Sequence, residues 1–80
     1  MIILKPLGLE VALTANSTVA NSTLVRVINT GAAAALTFAN GGVTYANLTV
    51  SNTESVVVQK AATDTLQGAN MLAVPVAWKY

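Results

Sequence analysis

The chain is 80 residues long with a formal net charge of +1, and 54% of its residues are hydrophobic while 9% are charged. It contains neither Cys nor His, which excludes disulfides and the usual zinc frameworks. So little charge also argues against a nucleic-acid interface, which needs a clustered basic face, and favours association with other proteins.

The length predicts one domain spanning residues 1–80. A lone core of this size rarely supplies more than about 3–5 kcal/mol of stability, so we expect a homo-oligomer or a larger assembly. The charge-free run 27–53 is interrupted by Asn, Thr and Gly and holds no apolar block of about 20 residues. We therefore expect no membrane span, and the short apolar start predicts no signal peptide.

The N-terminal segment predicts one short strand and one regular strand. Residues 2–4 form a strand or part of an extended arm over 1–8, ended by Pro6 and Gly8. Residues 9–14 alternate apolar and polar side chains, which is typical of a two-sided strand. The repeated Asn-Ser-Thr sequence in 14–23 predicts a polar loop with a short piece of strand around Val19.

The middle of the chain predicts four further strands. In 24–30, Val25 and Val27 share one face, and Asn-Thr-Gly closes the strand with turn chemistry. Residues 32–38 are expected to form a hairpin arm that turns at Asn40-Gly41, a strong tight-turn signal. Residues 47–60 then predict a β-hairpin around a polar turn. Its expected inward side chains are Leu48, Val50, Val56 and Val58.

The last third predicts a loop and a long strand. Residues 61–68 form a loop with room for one helical turn capped by Thr63 or Asp64. Residues 71–80 alternate regularly, with Leu72, Val74 and Val76 expected to face inward. Pro75 has no N–H for a ladder, so this strand should be an edge strand or should bulge there.

About seven short strands with turn signals at close spacing predict an all-β fold. We expect a small antiparallel β-sandwich or a partly open barrel. An edge strand that ends in aromatic residues would suit an assembly.

The inventory of reactive side chains is poor. The acids and bases are spread along the chain without a telling pair, so we expect no enzyme, no catalytic residues and no small-molecule substrate. No cofactor and no metal ligands are predicted either. Arg26 and Asp64 either form an ion pair or are both solvated, and both alternatives remain open.

The candidate partner contacts are the large rings and the C-terminal strand, since Trp and Tyr are enriched among interface anchors. Trp78 either plugs the core or contacts a partner. The candidates are Tyr80, Trp78, Tyr45, Pro75 and Lys79.

Three segments carry a family resemblance: 25–31, which ends in Asn-Thr-Gly, then 54–60, Glu-Ser-Val-Val-Val-Gln-Lys, then 63–66, Thr-Asp-Thr-Leu. In this order they resemble small virion structural proteins of tailed phages of the marine and cyanobacterial type, over roughly residues 24–80. The resemblance implies a capsid decoration or cement subunit in the virion, assembled in the host cytoplasm. Its implied partners are the major capsid protein, other virion proteins and its own copies.

Three alternatives remain open. The chain could serve at the tail, neck or fibre of a virion. A carbohydrate- or surface-binding module would use the Thr/Asn-rich faces, with Tyr45 or Tyr80 as a sugar platform. An ice-binding protein would need regularly spaced Thr on a flat face, a repeat that this sequence does not keep.

Overall fold

The structure is a computed structural model that describes residues 3–79, with side chains described for residues 5–77. It is all-β, and its eight strands form two antiparallel sheets, which confirms the predicted fold class. The strands are β1 (Ile3–Pro6), β2 (Val11–Ala12), β3 (Leu24–Asn29), β4 (Ala34–Asn40), β5 (Val43–Val50), β6 (Ser55–Gln59), β7 (Thr65–Gln67) and β8 (Met71–Lys79).

The larger sheet has the strand order β1-β8-β3-β6, with β2 also paired to β8, and the smaller sheet has the order β5-β4-β7. The core lies between them. On β3, Val25 and Val27 are fully buried while their neighbours are half-buried, as the alternation predicted. The buried apolar cluster consists of Leu13, Val19, Val25, Val27, Leu36, Phe38, Val50, Leu66, Met71 and Ala73.

The segment 47–60 is a corner between the sheets, so the prediction of a hairpin there is wrong. β5 pairs with β4, whereas β6 pairs with β3 in the other sheet. The turn between them is closed by a 3.0 Å hydrogen bond from the Glu54 N–H to the Ser51 carbonyl. The predicted facing is nevertheless confirmed: Val50 is buried, and Leu48, Val56 and Val58 pack against the core.

The hairpin predicted from Asn40-Gly41 is confirmed. β4 and β5 are joined by Gly41 and Gly42, with Asn40 opposite Val43. The φ angles of Gly41 and Gly42 are +59° and +83°. Positive φ at both central positions is what a type I′ turn requires. Residues 34–40 accordingly form a strand despite the helical propensity of their alanines.

β8 lies inside the larger sheet, so the prediction of an edge strand is wrong. It pairs with β3 on one side and with β1 and β2 on the other. The Leu7 N–H donates to the Pro75 carbonyl at 2.8 Å, so the backbone polar groups of Pro75 face that second side. Its missing N–H therefore faces Leu7, between β1 and β2, and the pairing of β8 with β3 needs no donor from Pro75.

The facing predicted for β8 is also wrong by one residue. Met71 and Ala73 belong to the core cluster. Val74 is paired with Arg26 on the opposite face of the sheet, and this face is partly covered by the segment after β1. Because both faces of β8 are apolar and largely buried, alternation could not identify the inner one.

Three local predictions also fail. In 9–14 only Val11 and Ala12 form strand. Val19 has a φ of +50° and belongs to a left-handed turn, while the strand-like bridge joins Ser17 to Leu66. The segment 61–68 contains β7 and no helical turn.

Candidate interaction surfaces

The predicted contact residues lie in different places. Tyr80 lies outside the described residues. The backbones of Trp78 and Lys79 pair with β1, but their side chains are outside the described part. Pro75 is buried, and a Cβ on Gly8 would lie 3.3 Å from its Cγ. Tyr45 is 54% exposed, so it is the one of these five whose described side chain is available to a partner.

A β-bulge redirects Tyr45. Phe38 pairs with Ala46 and Ala39 with Thr44, so Tyr45 is the extra residue on β5. Bulges commonly re-aim a side chain. Here the ring of Tyr45 lies 6.3 Å from that of Phe38, centroid to centroid, and its hydroxyl donates to Asp64 Oδ2 at 2.6 Å.

Asp64 is the centre of a polar cluster that spans both sheets. The Asn40 side-chain amide and the Tyr45 hydroxyl both donate to its carboxylate. These hydrogen bonds, followed by that of the Ala61 N–H and by the charge of Lys60, hold the pKa of Asp64 below its ordinary value. The same hydrogen bond to Asp64 raises the pKa of Tyr45.

Lys60 closes the cluster from the end of β6. Its side chain is buried, and Nζ donates to the Ala61 and Ala62 carbonyls at 3.3 and 3.2 Å. Burial lowers the pKa of Lys60, partly opposed by the negative charge of Asp64. The hydrogen bonds of Lys60 and Asp64 thus hold the loop between β6 and β7 in place.

Asp64 does not pair with Arg26, and it is buried and hydrogen-bonded within the protein, so both alternatives, the ion pair and two solvated groups, are wrong. Arg26 lies on the outer face of the larger sheet. Within residues 3–79, no three His, Cys, Asp or Glu side chains are grouped so that they could hold a metal ion. The Asp64 cluster is best explained as an anchor between strands.

An apolar surface lies on the outer face of the larger sheet. Between β1 and β2 the chain presents Leu9, 89% exposed, on this face, two residues after the exposed Leu7. Leu9 lies at a cleft of about 550 Å³. It is lined by Pro6, Gly8, Leu9, Glu10, Arg26, Val74 and Val76. We call residues 7–11 with this cleft the outer-cleft surface.

A second groove, of about 370 Å³, lies beside the smaller sheet and includes Thr14, Thr37 and Gln67 in its lining. The Thr37 hydroxyl donates to the Gln67 carbonyl at 3.2 Å, and Gln67 Nε2 donates to the Thr14 carbonyl at 3.3 Å. These hydrogen bonds join β4, β7 and the loop after β2 along the groove.

Sequence reasoning missed the outer-cleft surface because regular alternation assigned Leu9 to a strand. It missed the Asp64 cluster because its members are far apart in sequence, and the bulge at Tyr45 has no clear sequence signal. No helix in the described residues is long and apolar enough to cross a membrane. Comparisons with models of protein families, with curated proteins and with solved structures found no match to this chain.

Proposed function

We propose that this chain is a noncatalytic structural subunit of a tailed-phage virion. It decorates or cements the capsid shell through contacts to the major capsid protein and to its own copies. The resemblance of residues 24–80 to such proteins supplies the biological setting. The observation that supports shell contact best is the 89% exposure of Leu9 at the outer cleft.

An exposed leucine next to an apolar cleft is a favourable place for a partner to bind. Fully burying one leucine side chain contributes about 1.5–3 kcal/mol, and ordering costs reduce what appears as affinity. The single charges of Glu10 and Arg26 line the same cleft and would orient a partner more than attract it. Binding of only the folded chain would also stabilise this small domain.

The first test locates the chain in the virion. An antibody against the purified chain, visualised with gold by electron microscopy, is expected to label the shell of the phage whose genome encodes it. Label confined to the tail, neck or fibre would replace the capsid assignment with one of these positions. Particles without label would overturn the virion proposal.

The second test examines the outer-cleft surface itself. Purified chain is sedimented with shells that lack it, and Leu9→Asp is compared with Ala33→Asp, which adds the same charge to an exposed loop residue. We expect Leu9→Asp to weaken binding by about tenfold or more, and Ala33→Asp to bind like wild type. Equal binding by both variants would exclude Leu9 from the contact.

A further inference from the structure

The outermost strands of the two sheets differ in how their free edges are protected. Natural proteins block sheet edges with Lys, Pro, short strands, β-bulges or covering segments. β1 carries Lys5 and Pro6. β6 has five residues and is preceded by the exposed Glu54.

β7 is closed from its outer side. It has three residues, and Ser17 bonds to Leu66 from beyond it. The Ser17 N–H donates to the Leu66 carbonyl at 3.0 Å, and the Leu66 N–H donates to the Ser17 carbonyl at 2.8 Å. A partner strand therefore cannot add to the sheet at this position.

Of these protections β5 has a bulge at Tyr45, and residues 46–50 beyond it have none. Its eight residues, Val-Thr-Tyr-Ala-Asn-Leu-Thr-Val, include no charge and no proline. Only β4 pairs with it in the described chain, and most of its residues are exposed, with Val43 at 69%. Its one irregularity is the bulge at Tyr45, beyond which 46–50 pair regularly with β4.

We propose that β5 pairs with β5 of a second copy of this chain, antiparallel about a two-fold axis. The two smaller sheets then become one six-stranded sheet. A second copy fits because an antiparallel edge is self-complementary about such an axis. The uncharged strand also meets itself without the like-charge repulsion that destabilises facing residues. This inference deepens the self-association part of the proposed function and rests on it.

The facing of β5 restricts the register. Ala46, Leu48 and Val50 lie opposite the inward residues of β4, and the joined sheet keeps them on its core side. Even-numbered residues must therefore face even-numbered ones. A two-fold axis at Asn47 or at Leu48 pairs most of the regular segment 46–50. The axis at Asn47 places Asn47 opposite Asn47 of the second copy, and the axis at Leu48 places Asn47 opposite Thr49.

Cross-linking tests this arrangement directly, because the chain contains no cysteine and one introduced thiol is unique. Two samples are oxidised at low concentration and run on a non-reducing gel. The first is Asn47→Cys alone, and the second is a mixture of Asn47→Cys with Thr49→Cys. Directly opposed residues have Cβ atoms about 4.5–5.5 Å apart, which is close to disulfide geometry. We expect a disulfide dimer in both samples if the axis lies at Asn47, and only in the mixture if it lies at Leu48.

Ala35→Cys is the matched control. Ala35 is exposed and lies opposite Thr49, but on the central strand β4. The Ala35→Cys chain should therefore form no disulfide dimer under the same oxidation. Dimer formed equally by Ala35→Cys, or by none of the variants, would overturn the proposal.

Introduced charges provide a second test, which is read by light scattering over a dilution series. We expect N47K/T49K to raise the dimer dissociation constant by about tenfold or more, with Ala35→Lys unchanged and an equal mixture with N47E/T49E associating again. A wild-type chain that stays monomeric, or a lysine variant that associates as wild type does, would overturn the β5 interface. The shell-sedimentation test is separate, so a chain that dimerises through β5 but binds no shell would overturn only the capsid assignment.

Discussion

The hydroxyl of Tyr45 on β5 donates a 2.6 Å hydrogen bond to the carboxylate of Asp64, which directly precedes β7. β4 lies between β5 and β7 in the sheet, so this contact crosses the central strand. Asn40, at the end of β4, binds the other carboxylate oxygen. Asp64 thus ties all three strands of the smaller sheet together at one end.

Acid should weaken this tie. The pKa of Asp64 is lower in the folded chain than its ordinary value, so its contribution to stability is fully present above about pH 4. That contribution is lost as the pH falls through the folded pKa. Thermal unfolding from pH 7 to pH 2 should show the difference between wild type and Asp64→Asn shrinking below about pH 4. A difference that stays constant to pH 2 would contradict this role.

Base should loosen the same contact from the other side. The pKa of Tyr45 is raised above its ordinary value, first by the hydrogen bond to Asp64. The stability that this bond adds is therefore present below about pH 10 and is lost as the pH rises through the folded pKa. Tyr45→Phe should lose stability at pH 7 and show a smaller decline than wild type above pH 10. A constant difference in melting temperature between the two proteins from pH 7 to pH 11 would exclude a contribution of this hydrogen bond to stability.

Asn29 should be among the most sensitive polar residues. It is fully buried at the end of β3, and Nδ2 donates to the Val50 carbonyl at 2.8 Å and to the Ala32 carbonyl at 2.9 Å. Its Oδ1 accepts the Gly31 N–H at 2.8 Å. Asn29→Ala leaves these backbone groups without that partner, so we expect a loss of about 3 kcal/mol or more in denaturant unfolding.

Asn47→Ala is the control for Asn29, because Asn47 is exposed on β5 and should change monomer stability by less than about 0.5 kcal/mol. Equal losses of unfolding free energy for the two substitutions would mean that the hydrogen bonds of the buried Asn29 amide do not stabilise the fold.

Thr53 offers the opposite outcome, a stabilising substitution. Its φ is +63°, in the left-handed region that costs an ordinary L-residue about 1–2 kcal/mol. The side chain is exposed, so little packing opposes its removal. Thr53→Gly should raise the unfolding free energy by about 0.5–1 kcal/mol, after the backbone entropy of glycine is deducted. Asn52→Gly, one residue earlier and without positive φ, should not stabilise.

Alternation in the sequence predicted which residues form strands better than it predicted which strands pair. The facing of β3 and of the segment 47–60 followed from period two. A four-residue polar turn is compatible with a hairpin or with a crossing between sheets, so local sequence could not assign β6 to β3. β8 was misplaced because Pro75 signals an edge, and a gap between β1 and β2 removed that constraint.

The candidate surfaces were predictable only in part. Tyr45 was singled out as a ring with a polar group, but its bond to Asp64 depends on the bulge and on a strand pairing that sequence does not reveal. The free edge at β5 was invisible until β5 and β6 were assigned to different sheets.

Leu9 and Leu13 provide a matched pair for the N-terminal segment. Regular alternation predicts that both lie on the same face of one strand, whereas Leu9 is 89% exposed and Leu13 is fully buried. The strand ends at Ala12, and the Leu13 N–H donates to the Met71 carbonyl at 2.9 Å as its side chain enters the core. Leu13→Ala should therefore cost about 2–5 kcal/mol. Leu9→Ala should change the stability of the monomer by less than about 0.5 kcal/mol, measured by urea unfolding at a concentration where the chain is monomeric. A loss above about 2 kcal/mol for Leu9→Ala would mean that Leu9 packs within the domain and is not available to a partner at the outer cleft.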